Sequence, residues 1–342
     1  MPFDKAKKSE KIDIVYLWVD GNDPKWRQKR QNSLNRLNAN KRNDIAKYGN
    51  VEGRFRDNDE LRYSLRALER YFPDCGNVYI VTDAQTPSWL HKSANNSAQI
   101  SIIDHKDLIP ANKLPTFDSA NIESYIHRIP NLSERYFYLN DDVFFGAPVD
   151  VSHWFGSDTL HDGIFVGWSD DLPISNQHAQ PHATALENAC CLSIEWLKAH
   201  ENSHRNSNKR LYTHTYRTFA HSPRPMLKSM LIALETEAAD LFESVRSTVF
   251  RTWDNPNIVS DFVLRWALAT GQASVREYAH VYLSTGDVQN AAQLDSLIAA
   301  DGLLDFFCIN DTTDDADNLD PRLAMVQEAL QTMFPVASCY ER

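Results

Sequence analysis

The chain has 342 residues, 42% hydrophobic and 24% charged, which is enough for one large or two ordinary domains with a proper core. A formal charge of -11 with a pI near 5.5 excludes the broad basic footprint of a nucleic-acid binder, so nucleic acid is not an expected partner. Five cysteines (Cys75, Cys190, Cys191, Cys308 and Cys339) form no CxxC pair and are odd in number, which predicts reduced thiols in a cytoplasmic protein.

In chain order, MPFDKAKKSEK offers basic residues with no apolar stretch behind them. It reads as a solvated tail, neither a signal peptide nor a membrane span. The first strand-like run, IVYLWVD, ends at Asp20 and is followed by the turn GNDPKW and a polar stretch over 27–53, expected to be a helix and a loop. Asp57 is placed to cap a helix, with Glu60 three positions on and Leu61, Leu65, Leu68 and Phe72 at helical spacing until Pro73 stops it. The same helix carries Arg62, Arg66 and Arg70 in one row, which suits a solvated face laced with acids as well as it suits an anion. Arg54 and Arg56, ahead of the cap, are the better phosphate candidates.

VYIVTD ends at Asp83, and a weaker strand, ISIID, precedes the proline-punctuated LIPANKLPTF and a predicted helix, SANIESYIHRI. YFYLNDDVFF follows, two apolar runs broken by Asn140, Asp141 and Asp142. The segment 148–208 lacks periodicity and reads as an irregular insertion. Its His178 and His182 lie in HAQPH, where Pro181 argues for loop histidines over a helical metal pair. From Pro225 onward, Leu227, Met230, Leu231, Leu234, Ala238 and Leu241 predict a helix with Pro223 and Pro225 at its start. VFRTWD, with Arg251, leads to a second helix over 257–269 that stops at Gly271. FFCIND ends at Asp311, and PRLAMVQEALQTMF predicts a closing helix. The eleven glycines form no phosphate loop or dinucleotide fingerprint.

Strand, helix, strand succession predicts an α/β fold around a mostly parallel sheet. Ligands of such sheets collect beyond the carboxyl ends of the strands, so the four strand-end acids are expected to converge on an active site. Two adjacent carboxylates emerging from a buried strand need a partner, and a metal ion is the expected one.

These motifs together resemble the Stealth family of capsular polysaccharide phosphotransferases, which is related to the catalytic core of N-acetylglucosamine-1-phosphotransferase. The resemblance rests on IDIVYLWVDGNDP, on RFRDNDELRYSLRALERYFP through LPTFDSANIESYIHRIPNLSERYFYLNDDVFFG, on AHSPRP with the VFRTWD segment, and on FFCIND. It covers 12–24, 54–148, 214–271 and 304–311, and leaves the insertion and both tails outside. It implies a single GT-A-like (Rossmann-like) catalytic domain over 1–342, with a core of 12–148 and 214–311, an insertion of 149–213 and a tail of 312–342. The implied activity moves a hexose 1-phosphate, N-acetylglucosamine 1-phosphate above all, from a UDP-sugar to a glycan hydroxyl, releasing UMP. By the same resemblance His221 is the general base, Arg251 steadies the transferring phosphoryl group, and Asp142 with Asp141 and Asp311 holds Mg²⁺ or Mn²⁺. Asp20, Gly21, Arg54, Arg56, Asn58 and Asn310 would contact the donor, with Asp83 a weaker candidate. Capsule synthesis implies a cytoplasmic enzyme with peripheral contact to the inner membrane or a capsule assembly complex. The alternatives are a metal-dependent glycosyltransferase that releases UDP and a non-catalytic polysaccharide-binding protein.

Overall fold

A computed structural model describes residues 11–91, 100–156, 163–200, 213–287, 292–313, 317 and 319–342. Its main sheet holds β1 (Asp13–Leu17), β2 (Val78–Thr82), β3 (Ile100–Asp104), β4 (Arg135–Asn140) and β7 (Arg224–Leu227), in the order β3-β2-β1-β4-β7. The first four are mutually parallel, and β7 closes the edge antiparallel to β4. The order 3-2-1-4 is that of a Rossmann-like half-sheet. Every residue of β2 is buried, as expected of a parallel strand covered on both faces.

The run 136–145 turns out to be two strands in two sheets. β4 ends at Asn140, and β5 (Val143–Phe145) pairs antiparallel with β10 (Phe306–Asn310), which in turn runs parallel to β9 (His280–Ser284). Asp141 and Asp142 are therefore the step from one sheet to the other. A third, small sheet joins β6 (Ile164–Val166) to β8 (Ala273–Val275).

The helix Glu60–Tyr71 lies across this step: Ser64 Oγ donates to the Val143 carbonyl at 2.7 Å and shares a 2.9 Å hydrogen bond with the Tyr16 hydroxyl. It starts two residues later than an Asp57 cap would place it. Asp59 precedes it at φ 65 without capping it, while Asp57 Oδ1 accepts from the Asp59 amide at 3.1 Å. Its far end stops at Tyr71, two residues before Pro73, as expected.

Pro225 lies in strand β7, not in a helix, because an edge strand tolerates a missing N–H. The apolar stripe then forms the helices Lys228–Glu237 and Ala239–Val245. The stretch expected as a helix over 257–269 opens with a π-helical turn, Ile258–Phe262, before Val263–Thr270, and ends at Gly271 with φ 73. The expected irregular insertion contains a 15-residue helix, Ala185–Ala199, with a capping box between Thr184 and Glu187, and β6 from the same stretch pairs with β8. Of SANIESYIHRI, only Ser119–Glu123 is α-helical, with a 3-10 turn at Ile126–Arg128. The closing helix is Pro321–Met333. All five cysteines are free thiols, and no helix among the described residues is long and apolar enough to cross a membrane.

One large apolar core spans the sheets, and a second cluster consists of Trp26, Phe55, Phe117 and Phe250. Trp26 packs at 5.2 Å from Phe55 and 5.3 Å from Phe117, and Phe117 stacks on Phe250 at 5.2 Å. Burying each such ring contributes about 1.5–3 kcal/mol, so this small core fixes four distant segments to one another.

Candidate active site at the strand ends

That aromatic cluster sets the cationic side of the site. Phe55 is preceded by Arg54, Phe250 is followed by Arg251, and Phe117 stands two residues before Ser119. Packing the rings together brings the polar neighbours together. Arg54 Nη2 donates to Ser119 Oγ at 3.3 Å, and Arg251 Nη2 donates to the same oxygen at 2.5 Å. Arg251 Nε also lies 3.5 Å from Asp118 Oδ1. The Nε atoms of both arginines are buried without a hydrogen-bond partner. Burial, and then the Arg251 charge beside it, lower Arg54 to about 9. Two cations held this close call for an anion between them.

The acidic side lies within the electrostatic reach of Arg54. The Asp142 carbonyl accepts from the Ile309 amide at 3.0 Å, which pins the step between the sheets to β10. Asp142 Oδ2 faces the Cys308 thiol at 3.6 Å, and Oδ1 is buried with no partner. Burial raises Asp142 to about 6, and burial with the Asp142, Glu60 and Asp57 charges holds Asp141 well above the usual carboxylate range. Glu60 rises to about 8 through burial and Asp57, while Asp57 rises to about 7 through burial and Asp59. Such shifts mark acids that lack compensating positive charge.

A divalent ion fits this environment. The orphan oxygen of Asp142 and the repulsion between neighbouring carboxyls would both be relieved by one, and Mg²⁺ commonly takes one or two carboxylates, with phosphate and water completing its shell. Among the described residues, no group of three His, Cys, Asp or Glu side chains is arranged to hold a metal. Asp311 does not join the pair. Its carboxylate accepts from Arg56 Nη1 at 2.6 Å, from the Thr313 amide at 2.9 Å and from Asn58 Nδ2 at 3.2 Å. Arg56 and Asp311, each 6% exposed in the side chain, neutralise one another. Asn58 is further held by Glu60, to which its Nδ2 donates at 2.7 Å.

His221 stands at a bend just after Ala220, whose amide is tied to the Gly167 carbonyl at 3.0 Å. Its ring lies 5.0 Å from that of Tyr282, whose hydroxyl accepts from Asn310 Nδ2 at 2.8 Å. Burial and the charges of Arg224 and Arg251 push His221 down to about 4, against the pull of Asp171. The imidazole is thus neutral at pH 7, with a lone pair free to take a proton.

Asp20 follows β1 and closes a turn: its Oδ1 accepts from the Asn22 amide at 2.8 Å, and its backbone is bracketed by Gln85. The Gly21 amide donates to the Phe55 carbonyl at 2.8 Å, and a Cβ at Gly21 would fall 2.1 Å from that oxygen. Only glycine lets the end of β1 approach the Arg54 turn this closely. Asp83 is paired with Lys29 at 2.7 Å, and His178 is a surface partner of Glu195. Of the four strand-end acids, Asp141–Asp142 alone presents an unpartnered buried oxygen.

Sequence reasoning missed three contributors. Ser119 is the hinge between the two arginines. Glu123, 1% exposed, accepts from the Tyr138 hydroxyl at 3.0 Å and from the Val259 amide in the π-helical turn at 3.2 Å. Arg224, in the HSPRP stretch, is buried beside β4. The visible signals were the proximity of Arg224 to His221 in sequence and the acid inside the otherwise apolar SANIESYI.

Family models for Stealth conserved regions 1, 2 and 4 match residues 10–37, 54–162 and 297–342, together just over half of the chain. The chain belongs to the Stealth family. The matches reach further than the motifs that suggested them: the C-terminal tail and the start of the insertion lie inside conserved regions. The stretch 214–271, with His221 and Arg251, lies outside these three matches.

Among similar proteins, an exopolysaccharide phosphotransferase of Streptomyces coelicolor is 32% identical over 338 residues, covering 97% of this chain and 52% of that protein. Another from the same organism is 30% identical over 334 residues, covering 97% of this chain and 33% of its own length. The chain therefore spans about a third to a half of these relatives. A crystal structure of the galactosyltransferase LgtC with donor and acceptor sugar analogues aligns over 96% of this chain at 8% identity, with a TM-score of 0.40.

Proposed function

We propose that this Stealth protein is a sugar phosphotransferase of polysaccharide synthesis that moves a hexose 1-phosphate, N-acetylglucosamine 1-phosphate in the first place, from a UDP-sugar to a glycan hydroxyl. The observation that carries the reading is that Arg54, joined to Arg251 at Ser119, acts electrostatically on Asp142, which burial raises together with Asp141. Cations beside a vacant acidic pair are what a diphosphate needs. Kinship with exopolysaccharide phosphotransferases supports the same class.

In this reading an acceptor hydroxyl attacks the β-phosphorus of the donor. The bond from that phosphorus to the bridging oxygen breaks, and UMP leaves with the electron pair. His221 takes the acceptor proton, which its neutral state allows. Arg251 and Arg54 hold phosphoryl oxygens through guanidinium N–H groups, and their charge offsets what spreads over those oxygens in flight. A divalent ion bound by Asp141 and Asp142 would supply further neutralisation of the diphosphate. Asp20 and Asn310, at the ends of β1 and β10, would contact the donor from the flanks.

The test is to incubate the protein with a panel of UDP-sugars, a glycan acceptor and Mg²⁺ or Mn²⁺, then identify the nucleotide and analyse the product for phosphorus. UMP with a phosphodiester in the product is expected. UDP as primary nucleotide, with phosphorus-free product, would make the enzyme a glycosyltransferase.

A further inference from the structure

Arg224 is the one arginine of the site that no motif singled out. Its residue is 6% exposed, yet among the described residues its guanidinium makes no hydrogen bond or ion pair. Burying a cation in this way costs several kcal/mol unless a partner arrives. The acids around it are committed elsewhere. Glu123 accepts from Tyr138 and Val259, and both Asp261 oxygens accept from Arg265 Nε at 2.9 Å. The position of Arg224 is fixed by β7, where it stands opposite Tyr138 of β4. The groups within its electrostatic reach include Glu123, Tyr138 and Cys308, and after burial its charge is the largest influence on His221. Cys308 is itself the neighbour of Asp142 at 3.6 Å. The charge of Arg224 therefore acts both on the group that would meet the acceptor and on the immediate neighbour of the carboxylate that would meet the diphosphate. A reacting phosphorus must lie between that group and that carboxylate.

We propose that Arg224 is a third phosphoryl-binding guanidinium, which contacts the oxygens of the phosphoryl group at the point of transfer. This rests on the phosphotransferase reading of the site. It differs from Arg54 and Arg251 in having no protein acceptor to give up, so its N–H groups are available to the ligand at no loss of an existing bond. The same placement adds to burial in holding His221 neutral before the donor arrives: a guanidinium acting on an imidazole disfavours a second positive charge.

The probe is inorganic pyrophosphate with Mg²⁺, titrated by calorimetry into the full chain and into Arg224→Gln, with UDP as a second ligand. Wild type should bind pyrophosphate, and Arg224→Gln should bind it about tenfold or more weakly, at the scale of one lost charge-assisted contact. Should Arg224→Gln fail to fold, the neutral double variant Arg224→Met with Glu123→Gln removes the buried cation together with an adjacent anion and serves in its place. Unchanged pyrophosphate affinity in the folded variant, or no binding by wild type, overturns the proposal. So does a defect confined to the KM of an acidic acceptor, which would place Arg224 on an acceptor carboxylate. Because pyrophosphate binding is scored without turnover, release of UDP by wild type would overturn the reaction while leaving Arg224 to be judged by the titration.

Discussion

Two sets of three arginines have opposite fates. Arg62, Arg66 and Arg70 leave the helix Glu60–Tyr71 at steps of four, and each finds a fixed partner in the C-terminal part of the chain. Arg62 and Arg66 share Glu341, Arg66 also donates to the Phe334 carbonyl at 2.7 Å, and Arg70 takes Asp301 and the Met333 carbonyl. Arg54, Arg224 and Arg251 come from three distant segments and are left with unpaired N–H groups beside acids that are themselves short of cations. The regular row is a clasp and the scattered set is the proposed site. Spacing on one helix face identified neither; what separates them is that the row is closed by direct hydrogen-bonded ion pairs, whereas the scattered set keeps N–H groups without an acceptor.

The sharpest way to break this contrast is to remove charge from the acidic side. Asp142→Asn should lower turnover about a hundredfold or more, since it deletes the carboxylate best placed to hold a cation against the diphosphate. Its melting temperature should hold or rise, because a carboxylate strained by burial is replaced by a neutral amide of the same shape. Paired kinetics and thermal melts check this, and an early melt with normal turnover would move Asp142 to the structural set. Excess chelator should abolish wild-type turnover, with recovery on adding Mg²⁺ or Mn²⁺.

A somewhat smaller and differently shaped effect is expected at the two groups assigned to proton and phosphoryl handling. His221→Ala should lower turnover by about a hundredfold while UDP-sugar affinity stays near wild type, since a base meets the acceptor and not the diphosphate. Arg251→Ala should weaken donor affinity as well as turnover, and Lys should rescue it only in part because it lacks the planar fork. Donor titration beside turnover at saturation separates them. Identical phenotypes would mean that His221 acts through phosphate binding or through packing.

Much of the frame was legible because burial and chemistry agreed. β2, β4 and β10 are apolar runs that stop at Asn or just before Asp, β1 stops three residues short of Asp20, and Leu61, Leu65 and Leu68 keep strict helical spacing into the core. The helix Ala185–Ala199 was not legible, because its buried face includes Asn188, Cys190, Cys191 and Ser193, which blur the polar-apolar alternation. Pro225 misled for the opposite reason: a strong local rule about helix starts yielded to an edge-strand position. At the site, Arg54 could be read from its place ahead of the helix, but the commitment of Asp311 to Arg56 spans 255 residues and leaves no local trace. Glu123 and Arg224 were hidden in the same way, since only the packing of Phe117 on Phe250 and of β7 on β4 brings their segments together.

The clasp offers the mildest test, and it should be visible in stability alone. Burial disfavours the charged form of Glu341, but hydrogen bonds from Arg66, the Ser338 amide and Arg62 outweigh it and hold the carboxyl down to about 2. A carboxyl lowered from its ordinary value near 4.5 contributes stability above that value and loses it as pH falls through about 2. Glu341→Gln keeps the shape and part of the hydrogen bonding, so its cost should be about 1–3 kcal/mol at neutral pH, the scale of charge-assisted bonds in a sheltered setting. The Tm gap between wild type and variant should be constant above about pH 5 and narrow steadily below it as the wild-type carboxyl takes up its proton. Turnover well below the melting range should stay at the wild-type level, because the clasp touches no group that faces the substrates. A pH-independent gap would show that Glu341 acts through packing; lost turnover in a fully folded variant would show that the row on Glu60–Tyr71 reaches the site after all.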